Sequence, residues 1–150
     1  MYNLLLNPNF LVSADDAPMY YIDQDGVFTY DELTISGART CSLTLTDKEQ
    51  SSETSLFYEP FAELKNRTAI VFGMHMRAVN IVHAEFYIEF YDGGFKKINT
   101  LYEDVTSDIG HNFSKIGKFF KPPEASVYFK PGLKICGNVT ALTIFYPFAY

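Results

Sequence analysis

The sequence predicts an all-β protein, a sandwich or barrel of antiparallel strands. Three observations carry that prediction. Short apolar-alternating segments recur along the chain with turn residues between them, about ten in all. No segment holds an apolar stripe at helical spacing over three turns. The chain has 14 Phe and 11 Tyr against no Trp, and both residues suit a pleated, half-buried backbone.

The clearest segment runs from Ala84 to Tyr91 and ends in Asp92-Gly93-Gly94. Ala84, Phe86, Ile88 and Phe90 fall on one face, and Glu85, Tyr87, Glu89 and Tyr91 on the other. That is the period of a strand with one dry and one wet face.

The other elements follow in order. Tyr2 to Leu6 reads as a short strand that kinks at Asn7-Pro8-Asn9 and resumes from Phe10 to Val12. Pro8 has no amide donor, so this belongs at an edge or bulge. Ser13 to Pro18 is a polar loop. Tyr20 to Ile22 and Val27 to Thr34 flank Asp23-Gln24-Asp25-Gly26, a hairpin turn by composition. Ser36-Gly37 turns into the alternating run Cys41 to Thr46. Asp47 to Thr54 is a solvated loop, Leu56 to Phe61 a strand, and Glu63 to Asn66 a turn. Ala69 to Arg77 alternates, setting Ile70, Phe72, Met74 and Met76 against Val71, Gly73, His75 and Arg77. Further strands are expected over Phe95 to Tyr102, Phe113 to Phe120, Ala125 to Phe129 and Val139 to Tyr146. Pro131-Gly132 and Gly137-Asn138 read as turns. No internal repeat or linker is evident, so residues 1–150 form one sandwich domain.

The formal net charge of −6 argues against nucleic acid and against an anionic membrane surface, which both call for a basic footprint. Neutral ligands, cations and proteins fit it. No apolar run approaches the roughly 20 residues of a membrane helix, and Leu4-Leu5-Leu6 is too short for a signal-peptide core. The compartment stays open: extracellular or cell-surface within a larger secreted protein, otherwise cytoplasmic. Cys41 and Cys136 are compatible with one disulfide or two free thiols.

In succession these signals resemble the carbohydrate-binding-module type of β-jelly-roll, the galactose-binding-like sandwich. The resemblance rests on Asn3-Leu4-Leu5-Leu6-Asn7-Pro8-Asn9-Phe10 and on Gly37 leading into Ser42-Leu43-Thr44-Leu45. It continues with Phe90-Tyr91-Asp92-Gly93 and with Phe119 to Ala125 leading into Val127-Tyr128-Phe129. It covers nearly the whole chain and implies an antiparallel jelly-roll sandwich that binds a glycan without catalysis. Two departures bear on the ligand. The last strand, Thr140 to Phe145, and Leu11 lack the carboxylates of the family's usual calcium site. With no Trp, Tyr would have to stack on the sugar.

If Ala69–Arg77 and Ala84–Tyr91 pair as a hairpin, its wet face gathers His75, Arg77, His83, Glu85, Tyr87 and Glu89. There Tyr87 would stack on a sugar ring while Arg77, His83, Glu85 and Glu89 bond its hydroxyls. An ordinary solvated face with cross-strand ion pairs would use the same residues. His75, His83 and Glu85 could also hold zinc, though no fourth ligand is evident. The Asp23-Gln24-Asp25-Gly26 turn, near Asp15, Asp16 and Asp31, is the one place for Ca²⁺, but it lacks the closing Glu of an EF-hand loop. No cofactor is expected. Glu85 and Glu89, four apart on one strand, lie roughly 13 Å apart, too far for a glycosidase pair. No nucleophile elbow or phosphate loop is present, so no enzyme is expected.

The leading expectation is a non-catalytic module binding a neutral glycan on this face or on edge loops. The alternative is a structural or assembly jelly roll that oligomerises or decorates a surface or particle. The apolar tail Tyr146 to Tyr150 would be its homo-oligomer contact.

Overall fold

The computed structural model describes residues 2–14 and 17–150. Its strands are β1 (Ser13–Ala14), β2 (Ala17–Pro18), β3 (Tyr21–Asp23), β4 (Thr29–Ile35), β5 (Ala38–Leu45), β6 (Glu53–Tyr58), β7 (Ala62–Glu63), β8 (Ile70–Arg77), β9 (Asn80–Tyr91), β10 (Lys97–Asp104), β11 (Ser114–Phe120) and β12 (Tyr128–Ala149). A single 3₁₀ turn, Thr106–Asp108, is the only helical piece among the described residues. Asp15 and Asp16, named above beside the candidate Ca²⁺ loop, lie outside them.

The pairing builds two antiparallel layers joined through β12. In the first the order is β10-β9-β12-β6-β3, using β12 from Tyr128 to Cys136. In the second it is β11-β8-β12-β5-β4, using β12 from Val139 onward. This is the predicted all-β sandwich, and the alternation explains its core. Ala84, Phe86, Ile88 and Phe90 of β9 are all fully buried, facing Ile70, Phe72, Met74 and Met76 of β8. The Phe72 and Phe86 rings meet edge to face, 5.1 Å between centroids. Each such ring contributes about 2 kcal/mol by burial alone.

Three local expectations are corrected. Residues 2–12 form no strand, because Asn7 and Phe10 take left-handed φ values of 50° and 55°. Leu5 and Phe10 still anchor the segment in the core, and the Leu4 amide donates to the Ala149 carbonyl (2.9 Å). The Asp23–Gly26 turn joins no hairpin, since β3 pairs with β6 while β4 pairs with β5. It carries the chain from one layer to the other. Ser36-Gly37 does close a tight hairpin, with φ of 53° and 82°.

Finally, Pro131-Gly132 and Gly137-Asn138 are not turns but interior positions of the 22-residue β12. Pro131 is tolerated because it falls between the end of the β7 ladder at Phe129 and the start of the β6 ladder at Gly132. Gly137, at φ 73°, sits where the register shifts and β12 changes layer.

The apolar tail is the last part of β12. Phe148 and Ala149 are buried, and Tyr150 exchanges both backbone hydrogen bonds with Val71 (3.0 and 3.1 Å). Much of its hydrophobicity is therefore used within the domain, with Tyr146 and Tyr150 left partly exposed.

Both cysteines are free. Cys41 lies in the core, and burial, helped by the Asp31 and Asp23 charges, pushes its thiol up to about 12. Cys136 sits on the outward face of the first layer, half-exposed. In the native protein a thiol reagent should modify Cys136 and spare Cys41 until denaturant is added. Peptide mapping after labelling reads this, and equal labelling of both would refute the core placement.

Candidate functional site

The expected hairpin face does not exist as one surface. β8 and β9 lie in different layers, β8 on the second half of β12 and β9 on the first. The link between them crosses the sandwich instead of folding back. Its Ala78 amide donates to the Gly110 carbonyl (3.0 Å) and its Val79 amide to Thr140 (2.9 Å).

His75 and Arg77 therefore stand on the outward face of the second layer. His75 stacks on Phe145 (4.7 Å), and burial, with Lys115 nearby, lowers its pKa. The Arg77 guanidinium lies over Phe113 (4.8 Å). The zinc set of His75, His83 and Glu85 is excluded by the same crossing. Among the described residues no three His, Cys, Asp or Glu side chains gather as metal ligands would. Asp31 is occupied as an acceptor for the Thr40 and Ser42 hydroxyls (both 2.6 Å).

His83, Glu85, Tyr87 and Glu89 do stay together, on the outward face of the first layer. β10 contributes Thr100, Tyr102 and Asp104 to it, by pairing with Glu89, Tyr87 and Glu85. β12 contributes Tyr128, Lys130, Gly132, Lys134 and Cys136, by pairing with Tyr91 through His83. β6 adds Glu53, Ser55 and Phe57. Sequence reading missed the β12 set because it broke the strand at Pro131-Gly132. The signal was there: Phe129, Pro131, Leu133 and Ile135 alternate with Tyr128, Lys130, Gly132 and Lys134.

At the centre, the Tyr87 ring leans across β12. A Cβ built on Gly132 would meet its Cζ and hydroxyl oxygen at 2.4 Å, so only glycine leaves room for it. Burial of the phenol pushes its pKa up to about 12; Glu89, Tyr102 and Tyr91 add to this, while Ser55 acts in the opposite sense. The Tyr102 ring lies 6.1 Å away and is half exposed.

One end of the face is a charge network. Lys134 Nζ contacts Glu85 (3.1 Å) and Glu53 (3.7 Å) and lies over the Tyr102 ring (4.6 Å). Burial works against its charge, but the Glu85 and Glu53 carboxylates outweigh that, and its pKa rises. His83 lies 3.4 Å from Glu85 and 3.6 Å from Asp104. Asp104 accepts the Thr106 amide hydrogen (2.8 Å), which lowers its pKa.

The other end is aromatic. Phe61 packs edge-on to Tyr91 (4.9 Å), and Phe95 stacks on Tyr128 (4.7 Å, 15° between planes). Phe95 sits in the turn before β10, held where Asp92 accepts the Gly94 and Lys96 amides (2.9 and 3.0 Å). Glu89 is paired with Lys97 at 2.6 Å.

Neither a family profile nor a curated protein matches the sequence. Solved structures do match in shape. A family 16 carbohydrate-binding module aligns over 99% of this chain and 99% of its own, with a TM-score of 0.62 and 10% identity. A CBM61 module in complex with β-1,4-galactotriose aligns over 100% and 99%, with a TM-score of 0.59 and 11% identity. The enzymatically active domain of a bacteriophage CBA120 tailspike protein aligns over 98% of this chain, with a TM-score of 0.66 and 9% identity. The chain spans only 21% of that protein's length.

The fold is that of the carbohydrate-binding-module jelly roll. The family 16 and CBM61 modules match it from end to end, whereas it spans only 21% of the tailspike domain and 26% of an arabinose-bound α-L-arabinofuranosidase.

Proposed function

We propose that this domain is a non-catalytic carbohydrate-binding module whose glycan lies along the outward face of the first layer. One observation carries the reading. A single solvent-facing sheet surface sets aromatic rings (Tyr102, Tyr87, Tyr91, Phe61, Phe95) beside fixed hydrogen-bonding groups (His83, Glu85, Lys134, Glu89). Sugars present apolar C–H faces for the rings and hydroxyls for the polar groups. Charged side chains held by partners need little reordering on binding, which favours recognition. The same pairing opposes catalysis, because Glu85 and Glu89 are each bound to a lysine and stand roughly 13 Å apart along the strand.

Affinity electrophoresis against a panel of neutral and acidic polysaccharides tests this. At least one should retard the protein. Tyr87→Ala should weaken that binding about tenfold or more, equivalent to ~1.4 kcal/mol. Arg77→Ala, on the opposite layer, should leave it unchanged. Full binding by Tyr87→Ala would move the site elsewhere, and no retardation by any polysaccharide would sink the function.

A further inference from the structure

The glycan-binding face carries three lysines, and they are not equivalent. Lys97 is neutralised by Glu89 at 2.6 Å. Lys134 is neutralised by Glu85 and Glu53. Lys130 has no carboxylate within ion-pair distance among the described residues; its ammonium lies over Phe61 (4.3 Å) and Tyr91 (5.8 Å) instead. Glu89 faces Lys130 in register, but it is held by Lys97 and accepts the Tyr91 hydroxyl (3.3 Å). Glu63 pairs with Tyr128 one step further along and is exposed.

We propose that the glycan taken by this face bears an anionic substituent, a carboxylate or sulfate, bound by Lys130 at the aromatic end. The inference rests on the reading of this face as a glycan site. Phe61 and Phe95 are 39% and 52% exposed although both belong to a packed ring cluster. Two open rings beside an unneutralised ammonium offer a sugar ring its stacking surface and an acidic group its counter-ion at one place. An anion arriving at Lys97 or Lys134 would instead have to displace a carboxylate already there.

The face is also polar along its length. Its far end holds His83, Glu85, Glu53 and Asp104, and Thr106 favours the ionised form of Asp104. An acidic substituent is repelled there and attracted at Lys130, so the glycan binds in one direction. The overall charge of −6 opposes an anion at long range. At about 0.15 M salt the screening length is roughly 8 Å, so the local lysine decides. This departs from the neutral ligand that net charge alone suggests.

The test compares matched polymers in affinity electrophoresis with the full chain. One pair is polygalacturonate and its methyl ester; the other is dextran sulfate and dextran. The charged member of one pair should bind at least about fivefold tighter, as expected for one charge-assisted contact. Lys130→Gln should abolish that preference and Lys130→Arg should keep it. Lys121→Gln, on an exposed lysine outside this face, should change nothing. Equal binding of charged and neutral members, unaltered by Lys130→Gln, overturns the anionic ligand; loss of that binding in Tyr87→Ala would still support the glycan face. Equal losses from Lys121→Gln and Lys130→Gln would mean nonspecific attraction and overturn it too. No binding to any polymer, charged or neutral, overturns both.

Discussion

Gly73→Ala is expected to force β8 and β11 apart and to destabilise the second layer. Gly73 pairs with Gly117 across β8 and β11. A Cβ at Gly73 would stand 1.8 Å from the Ile116 carbonyl oxygen and 2.7 Å from the Gly117 Cα. Both are backbone atoms in a continuous ladder from Ser114 to Phe120, so neither can turn aside as a side chain would. The strands must separate, and Ile116 and Phe120 would leave the core with β11. Overpacking of this kind costs on the order of 3 kcal/mol or more. For a domain of this size the melting temperature should then fall by about 10 °C. Gly117→Ala is the contrast, because its Cβ would meet only side chains, Val71 at 3.1 Å and Phe148 at 3.4 Å. Thermal melts of both variants decide the point. A Gly73→Ala protein that melts with the parent would show that the two backbones have slack.

The sequence made the layers legible and left their pairing hidden. Alternation in Ala84–Tyr91 and Ile70–Arg77 reports only that each strand has a dry face, and both dry faces are indeed in the core. It does not report which strand lies beside which. Consecutive strands with a short link invite a hairpin, but Ala78 and Val79 donate their amides to Gly110 and Thr140 and span the sandwich. Those acceptors lie far along the chain, so no local pattern announces them. Four of the six patch residues, His83, Glu85, Tyr87 and Glu89, do share a face, because they lie on one strand, where parity alone decides the face. His75 and Arg77 required a pairing and were misplaced. Lys130, Gly132 and Lys134 were hidden by Pro131-Gly132, which is turn-like in composition. Its tolerance in a strand depends on where two neighbouring short strands stop.

Gly132→Val should separate the site from the fold. The atoms it would strike, the Tyr87 Cζ and hydroxyl at 2.4 Å, are the tip of a side chain that can swing away. Valine also suits a central strand better than glycine. Stability should therefore change by no more than about 1 kcal/mol, unlike Gly73→Ala. The displaced phenol would enter solvent, and its pKa should fall from about 12 toward the ordinary 10.0. An ultraviolet alkaline titration, with Tyr87→Phe to assign the step, reads that change. The sign of the linked stability follows. Tyr87 holds its proton more tightly folded than unfolded, so its contribution is complete below about pH 10 and is lost as pH rises toward 12. Gly132→Val should lose that part of the alkaline sensitivity. Its glycan binding should drop about as far as that of Tyr87→Ala, because the ring no longer lies across β12 between Tyr102 and Ser55. A variant that keeps both the high tyrosine pKa and full binding would show that the glycine does not seat the ring. A variant that loses the pKa shift but keeps binding would show that the glycan does not use Tyr87 in this pose.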